Sequence, residues 1–259
     1  MNKLIELLSY HELIYNFALR NVRSRFKQSA LGMTWLFIHP VANVIILTIV
    51  FSYIAKTPSE GIPYPLFSFG ALLPWTFFSS SLTSGIPSLT NNPNLVTKIY
   101  FPREILPISA IIRVSFDTFI SALIFIGLLI YYKINITLYS LYVIPIIIIV
   151  FIFALGVVFL LATINVWYRD VAQASGLLIQ FWMYLTPVIY PLSLVPKNLM
   201  PFYILNPMVG IVEGFRSALL KGEKPNMTLI GISAFISVIT FITGYVVLKY
   251  KECDFADVI

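Results

Sequence analysis

The chain is 259 residues long, 59% hydrophobic and only 11% charged, with a formal net charge of +6. Water-soluble globular domains carry roughly a quarter charged residues, so this composition is that of a polytopic membrane protein. One cysteine, Cys253, and two histidines, His11 and His39, exclude a disulfide framework and argue against a metal cluster.

The excess of lysine and arginine suits membrane orientation and anionic lipid, and needs no nucleic acid. No Gly-x-x-x-x-Gly-Lys-Ser/Thr run occurs, so a nucleotide-driven process would draw its energy from another polypeptide. The first residues carry spread charges with no small-residue cleavage site after them, unlike a signal peptide.

Residues 1–33 read as an N-terminal cytoplasmic interface segment, with an amphipathic helix over Leu4–Lys27. Leu8, Tyr15, Leu19, Val22 and Phe26 recur at helical spacing beside a stripe of Ser9, Asn16, Arg20, Arg23 and Lys27. Such a helix lies in the membrane interface with its cations near lipid phosphates. Positive-inside topology and reception of an anionic lipid headgroup account equally well for Arg20, Arg23, Arg25 and Lys27.

Residues 34–250 contain six runs long enough to cross about 30 Å of hydrocarbon, so the expected fold is an all-α, six-span membrane protein. They lie near Thr34–Ala55, Tyr64–Ile86, Ile105–Tyr132, Leu141–Trp167, Val171–Leu194 and Thr228–Tyr250. An even number puts both termini on one side, leaving residues 251–259 as a tail there. That side holds Lys3, Arg20, Arg23, Arg25, Lys27, Lys98, Arg103, Arg169, Lys249 and Lys251. The other holds Lys56, Lys133, Lys197, Arg216, Lys221 and Lys224. The bias favours cytoplasmic termini.

Between the second and third runs lies a charged, proline-bounded segment, Asn94–Pro107. Lys98, Arg103 and Glu104 are costly in hydrocarbon, so the segment must face water or protein. Pro102 lacks an amide hydrogen and biases Phe101 away from helical geometry, which predicts a bend. The result is an aromatic-basic elbow suited to being gripped.

Between the fifth and sixth runs, Asn206 is placed to cap a helix, Pro207 fits its first position and Gly222 its end. A helix over Pro207–Leu220 would be ~21 Å long, with Glu213 and Arg216 spaced to pair. It is too short to span and reads as a re-entrant or interfacial piece on the outer face. Asn198–Met200, before Pro201, could start a shorter one.

Arg113 and Asp117 stand four apart inside the third run, spaced to pair within one helix. Intramembrane ionisable pairs are functional candidates, but Arg113 lies close enough to the end of its run to snorkel, and the structural reading is preferred. Two aromatic clusters exceed what interfacial anchoring requires. One comprises Phe51, Tyr53, Phe67, Phe69, Trp75, Phe77 and Phe78; the other, Phe181, Trp182, Tyr184 and Tyr190. Ring faces stack on sugar CH groups while hydroxyl and indole N–H groups hydrogen-bond. Ser79, Ser80, Ser81, Thr83 and Ser84 add a hydroxyl stripe that either faces a pathway or packs helices closely.

Four motifs then converge. Phe101-Pro102-Arg103-Glu104-Ile105-Leu106-Pro107, Asn165-Val166-Trp167-Tyr168-Arg169-Asp170-Val171, Thr186-Pro187-Val188-Ile189-Tyr190-Pro191 and Leu205-Asn206-Pro207 with Glu213-Gly214-Phe215-Arg216 occur in order along the chain. Together with Arg20–Phe26 they resemble the membrane permease subunit of ABC type-2 exporters. The resemblance is to the branch carrying O-antigen, teichoic acid and capsule-like polysaccharides (Wzm-like permeases).

The resemblance implies a non-enzymatic transport subunit of the bacterial inner membrane, moving undecaprenyl-pyrophosphate-linked polysaccharide. It implies a homodimer paired with two copies of a separate ATPase that binds ATP and Mg, this chain holding no cofactor. Asn94, Lys98, Tyr100, Phe101, Pro102, Arg103 and Glu104, supported by Arg169 and Asp170, would couple to that ATPase. Arg20, Arg23, Arg25 and Lys27 would receive the lipid pyrophosphate. Phe51, Tyr53, Phe67, Phe69, Trp75, Phe77, Phe78, Trp182, Tyr184 and Tyr190 would line the glycan channel, and Asn206, Pro207, Glu213 and Arg216 its periplasmic gate.

The competing readings are a permease for another lipophilic substrate, an ion-driven carrier or channel, and a membrane transferase. The carrier would want buried carboxylate chains or internal repeats, and the transferase paired carboxylates or a metal site. Neither pattern is evident.

Overall fold

A computed structural model describes residues 10–26, 31–98 and 101–258. The expected all-helical architecture is present. In chain order the helices are α1 (His11–Phe26), α2 (Trp35–Leu47, continued by a π-type stretch Thr48–Ile54), α3 (Tyr64–Gly85) and α4 (Pro93–Lys98). There follow α5 (Ile105–Tyr131), α6 (Val143–Trp167), α7 (Asp170–Tyr184), α8 (Met200–Ile204), α9 (Pro207–Arg216, continued by Ser217–Lys221), α10 (Met227–Lys251) and α11 (Phe255–Val258).

Among the described residues, four helical stretches are both long and apolar enough to cross a membrane: Gly32–Ile54, Ile105–Tyr131, Leu138–Trp167 and Met227–Lys251. α3 has 22 residues, enough for ~33 Å of rise, but its serines, threonines, glycines and prolines lower its hydropathy. It is the inner helix of the bundle, packed against α2, α5, α6, α7 and α9. Leu66, Phe67, Ala71 and Phe78 on it are fully buried.

α6 and α10 form the closest pair in the bundle. Gly244 lies against the Gly156 carbonyl, and a Cβ on Gly156 would stand 2.5 Å from the Phe241 amide nitrogen. Small residues at facing positions are what let two backbones approach this closely in a membrane protein.

The fifth expected run does not form one helix. α7 ends at Tyr184 after 15 residues, ~22 Å, and Leu185–Tyr190 is a series of turns. Pro187 and Pro191 cannot donate to a helical ladder and bias their predecessors to extended geometry, which explains the stop. The turns survive in the interior because their exposed carbonyls are claimed. Arg216 donates to the carbonyls of Pro187 (2.6 Å), Val188 (2.6 Å) and Tyr190 (3.4 Å), and the Tyr64 hydroxyl donates to that of Ile189 (2.9 Å). Four successive carbonyls that a helix would have satisfied are thus satisfied by two side chains.

Candidate functional site

The elbow is built as a small second core. α4 buries Val96, and the chain then turns so that Phe101 is buried with Ile105 and Leu106. Around them pack Leu89, Ala162, Val166 and Phe255, covered by Leu13, Ile14 and Phe17 of α1. The bend expected at Pro102 is there, because α5 starts only at Ile105. Arg103 stacks its guanidinium 5.1 Å from the Phe101 ring.

Glu104 is buried at 2% exposure and pairs with Lys249 of α10 at 2.8 Å, which also holds Glu252 at 2.9 Å. A carboxylate this buried requires such a partner. Phe101 and Glu104 therefore anchor the elbow from inside, and its exposed surface is carried by Asn94, Thr97 and Lys98. Tyr100 lies outside the described residues.

Two further pieces join this core. Asn165 donates to Thr90 Oγ1 at 3.1 Å and accepts from the Ala172 amide at 3.0 Å, tying the α6–α7 turn to the chain before the elbow. Arg169 and Asp170 sit exposed on that turn. Trp167 beside them packs edge-on against Phe255, with ring centroids 5.6 Å apart. The tail is thus no free end: Phe255 is fully buried under the elbow.

α1 lies against this core and not on lipid alone. Its packed side is Leu13, Ile14, Phe17 and Ala18, whereas Tyr15, from the apolar stripe read in the sequence, is 64% exposed. Leu19 and Val22 of that stripe are half-buried. Arg20 donates to Asn92 Oδ1 at 3.0 Å and lies 4.8 Å from the Phe17 ring. The Arg23 and Arg25 side chains, and Lys27, lie outside what the structure describes.

The aromatic residues divide differently from the expectation. Phe67, Phe69, Trp75, Phe77 and Phe78 are all buried within the chain. Phe78 stacks on Phe153 at 5.0 Å and meets the edge of Trp182 at 5.1 Å; Phe77 stacks on Phe151 at 6.1 Å. Each has a ring partner, Phe69 meeting the edge of Phe125 at 5.5 Å, and of the five only Phe69 also lines an open cavity. Tyr53, Phe181 and Tyr184 are exposed, and Phe51 and Tyr190 are half-buried.

A wide cavity instead opens along the hydroxyl stripe of α3. It measures about 950 Å³ and lies between α1, α2, α3 and α5, lined by the Ser79–Ser84 side of α3 and the Ser109–Ser121 side of α5. Arg113 lines it, donating to Ser84 Oγ at 2.5 Å and pairing with Asp117 at 3.3 Å. The intrahelical pair expected from the sequence forms, and it also reaches across to a second helix.

At the opposite end, the Asn206 carboxamide caps α9 by accepting from the Met208 amide at 3.1 Å. The same oxygen accepts from Trp182 Nε1 at 3.0 Å, and its amide donates to Thr186 Oγ1 at 2.9 Å. Pro207 takes the first helical position and Gly222, at φ +63°, ends the segment. The pairing expected between Glu213 and Arg216 does not form. Glu213 binds Lys221 at 3.1 Å, which also binds Glu60 at 2.7 Å. Arg216 turns the other way, 1% exposed, with its guanidinium 3.6 Å from the Phe67 ring centroid. Burial pushes its pKa down to about 10, so it remains a cation at neutral pH.

A model of the ABC-2 type transporter family matches residues 12–220. The chain belongs to that family. It is 27% identical over 257 residues to the O-antigen export system permease protein RfbA of Myxococcus xanthus, covering 97% of each chain. It is 26% identical over 238 residues to RfbA of Klebsiella pneumoniae, covering 91% of each. It is also 24% identical over 242 residues to the polysialic acid transport protein KpsM of Escherichia coli, covering 90% of this chain and 91% of that one. The shared length includes elbow, cavity and capped α9 of this family member.

Proposed function

We infer that the chain is the permease subunit of an ATP-driven exporter of polysaccharide carried on a lipid pyrophosphate such as undecaprenyl pyrophosphate. The observation that carries this is the end-to-end similarity to permeases named for O-antigen export and polysialic acid transport. α3 and the α7 segment complete a six-span arrangement in a bacterial inner membrane, with both termini cytoplasmic. Two copies pair, and each elbow docks on one of two ATPase subunits.

The elbow's construction supports such a role. A coupling element must move as one body, and this one is cemented to α1, α6, α10 and α11 by a shared apolar core and the Glu104–Lys249 pair. An ATPase that grips Asn94, Thr97 and Lys98 differently in its two nucleotide states would shift those helices together, because coupling requires differential contact. Arg169 and Asp170 flank the same surface, and the basic side of α1 receives the pyrophosphate. Asn206, Pro207, Glu213 and Arg216 shape the outward exit.

The test is co-purification with a co-expressed candidate ABC ATPase. Lys98→Glu reverses an exposed charge without touching the packed core, so it should lower ATPase recovery while the permease accumulates normally. Full recovery and normal export by this variant would remove the elbow from the coupling role.

A further inference from the structure

We propose that the cavity between α1, α2, α3 and α5 is a saccharide-binding site, holding uncharged, hydroxyl-bearing sugar residues of the transported chain. The inference rests on the exporter reading above and gives it a location other than the buried aromatic rings. At about 950 Å³ the cavity is at the upper end of the ~300–1,000 Å³ found for small-ligand sites.

Its lining explains the chemistry. On α3, Thr76, Ser79, Ser80, Thr83 and Ser84 recur at helical spacing, and on α5 Ser109, Thr118 and Ser121 answer them. Small hydroxyl residues that served only to pack helices would be closed against each other. Here Ser80 and Thr83 are exposed to open space, and of the others only Ser109 is closed off.

Most of these hydroxyls have already spent their proton. Thr76 donates to the Leu72 carbonyl at 2.7 Å, Thr83 to that of Ser79 at 2.9 Å and Ser109 to that of Leu106 at 2.8 Å. Thr118 and Ser121 do the same toward Val114 and Asp117, at 2.9 and 3.2 Å. At these five positions what remains is oxygen lone pairs, which accept, and a sugar hydroxyl supplies the donor they lack.

The one hydroxyl in the lining that is both buried and unpartnered is Ser88, 7% exposed, whose Oγ makes no hydrogen bond. A buried polar atom without a partner is destabilising, which a bound hydroxyl would relieve. The charges agree. Arg113 is balanced by Asp117 at 3.3 Å, so this part of the cavity is a dipole and not an anion trap, whereas Arg20 lines the α1 side, where a pyrophosphate would sit beside the sugars. Trp35 and His39, with ring centroids 5.2 Å apart, offer apolar faces on the α2 wall, against which the CH side of a pyranose can stack.

Cysteine protection tests the site. Cys253 is exposed, so it is first replaced by serine, and Ser80→Cys is introduced in the full chain co-expressed with its ATPase. Membrane vesicles are labelled with a small anionic methanethiosulfonate reagent. They come from cells making the lipid-linked polysaccharide and from cells blocked in its first sugar transfer. Bound saccharide should slow labelling about tenfold if its concentration is about ten times its dissociation constant.

Thr83→Cys repeats the measurement should Ser80→Cys fail to accumulate. Lys224→Cys, exposed in the loop before α10 and outside the cavity, should label at one rate in both membranes. Equal labelling of Ser80→Cys with and without glycan overturns the site, as does equal slowing at Lys224→Cys. Protection by added undecaprenyl phosphate carrying no sugar would make it a headgroup site and overturn it too. If wild type exports polysaccharide while Ser80→Cys is unprotected, the cavity assignment alone falls. If wild type neither exports nor binds the ATPase, the exporter reading falls with it.

Discussion

Replacing Arg216 by methionine probes the device that holds the broken end of α7. The guanidinium makes four hydrogen bonds to backbone carbonyls, two of them at 2.6 Å, and stacks 3.6 Å from Phe67. Bonds from a charged donor are worth about 1.5–3 kcal/mol each, so the two short ones alone give about 3–6 kcal/mol. Removing a buried charge returns part of that, because its desolvation is no longer suffered. A net loss of about 2–4 kcal/mol remains, since methionine leaves the Pro187 and Val188 carbonyls without a donor. For a chain of this size that is a fall of roughly 5–15 °C in unfolding midpoint, read by intrinsic tryptophan fluorescence in nanodiscs. Trp182, next to the turn, should report it. Arg216→Lys should fall as well, because an ammonium keeps the charge but not the fork that reaches separate carbonyls. If the methionine variant unfolds at the wild-type temperature, Arg216 does not hold the turn.

Other outcomes follow from the same structure. Gly244→Ala should destabilise by about 1–3 kcal/mol, because a Cβ there meets the Gly156 carbonyl, whereas Gly231→Ala meets nothing within 4 Å and should not; thermal midpoints compare them. The Glu60–Lys221–Glu213 cluster sets two pH limits. Burial opposes ionisation of Glu60, but hydrogen bonds from Lys221 and Ser193 outweigh it and hold its pKa below 4.5; this contribution is present above pH 4.5 and lost as pH falls through the lowered value. Burial also opposes the Lys221 charge, but its bonds to Glu60 and Glu213 raise its pKa above 10.5; that contribution is present below pH 10.5 and lost above it. A Lys221→Met protein should therefore show a flatter midpoint-against-pH curve at both ends. Phe255→Ala empties a fully buried ring site under the elbow and should cost about 3–5 kcal/mol locally, seen as faster proteolysis of the C-terminal end and weaker ATPase co-purification.

Local signals carried much of the architecture. The Asn206-Pro207 start and Gly222 stop of α9 read directly, because capping chemistry is contained within a few residues. So did the bend at Pro102 and the Arg113–Asp117 pair. The break in the fifth run was missed although Pro187 and Pro191 mark it locally, because the apolar pattern continues to Leu194; what no local signal shows is the residue that stabilises the turns, which lies 29 positions beyond Pro187. For the same reason Glu213 and Arg216 looked like a pair: their spacing permits it, and only the distant Lys221, Glu60 and turn carbonyls redirect both. Of the rings on α3, Phe67, Trp75, Phe77 and Phe78 pack inside the chain because the helix is surrounded on most sides, and Phe69 lines the cavity. The hydroxyl stripe gave an ambiguous signal that only the space in front of it resolves. Phe255 sits in a short polar tail where nothing local announces burial.

The central claim is that energy reaches this permease through another chain and is spent on a glycan. Reconstitution in liposomes with a candidate ABC ATPase subunit tests it most directly, by measuring protection of a lipid-linked polysaccharide from external glycosidase. Transfer into the lumen should require ATP, the ATPase and an intact elbow, and should cease with Lys98→Glu. Transfer by the permease alone, or driven by an ion gradient without ATP, would contradict it.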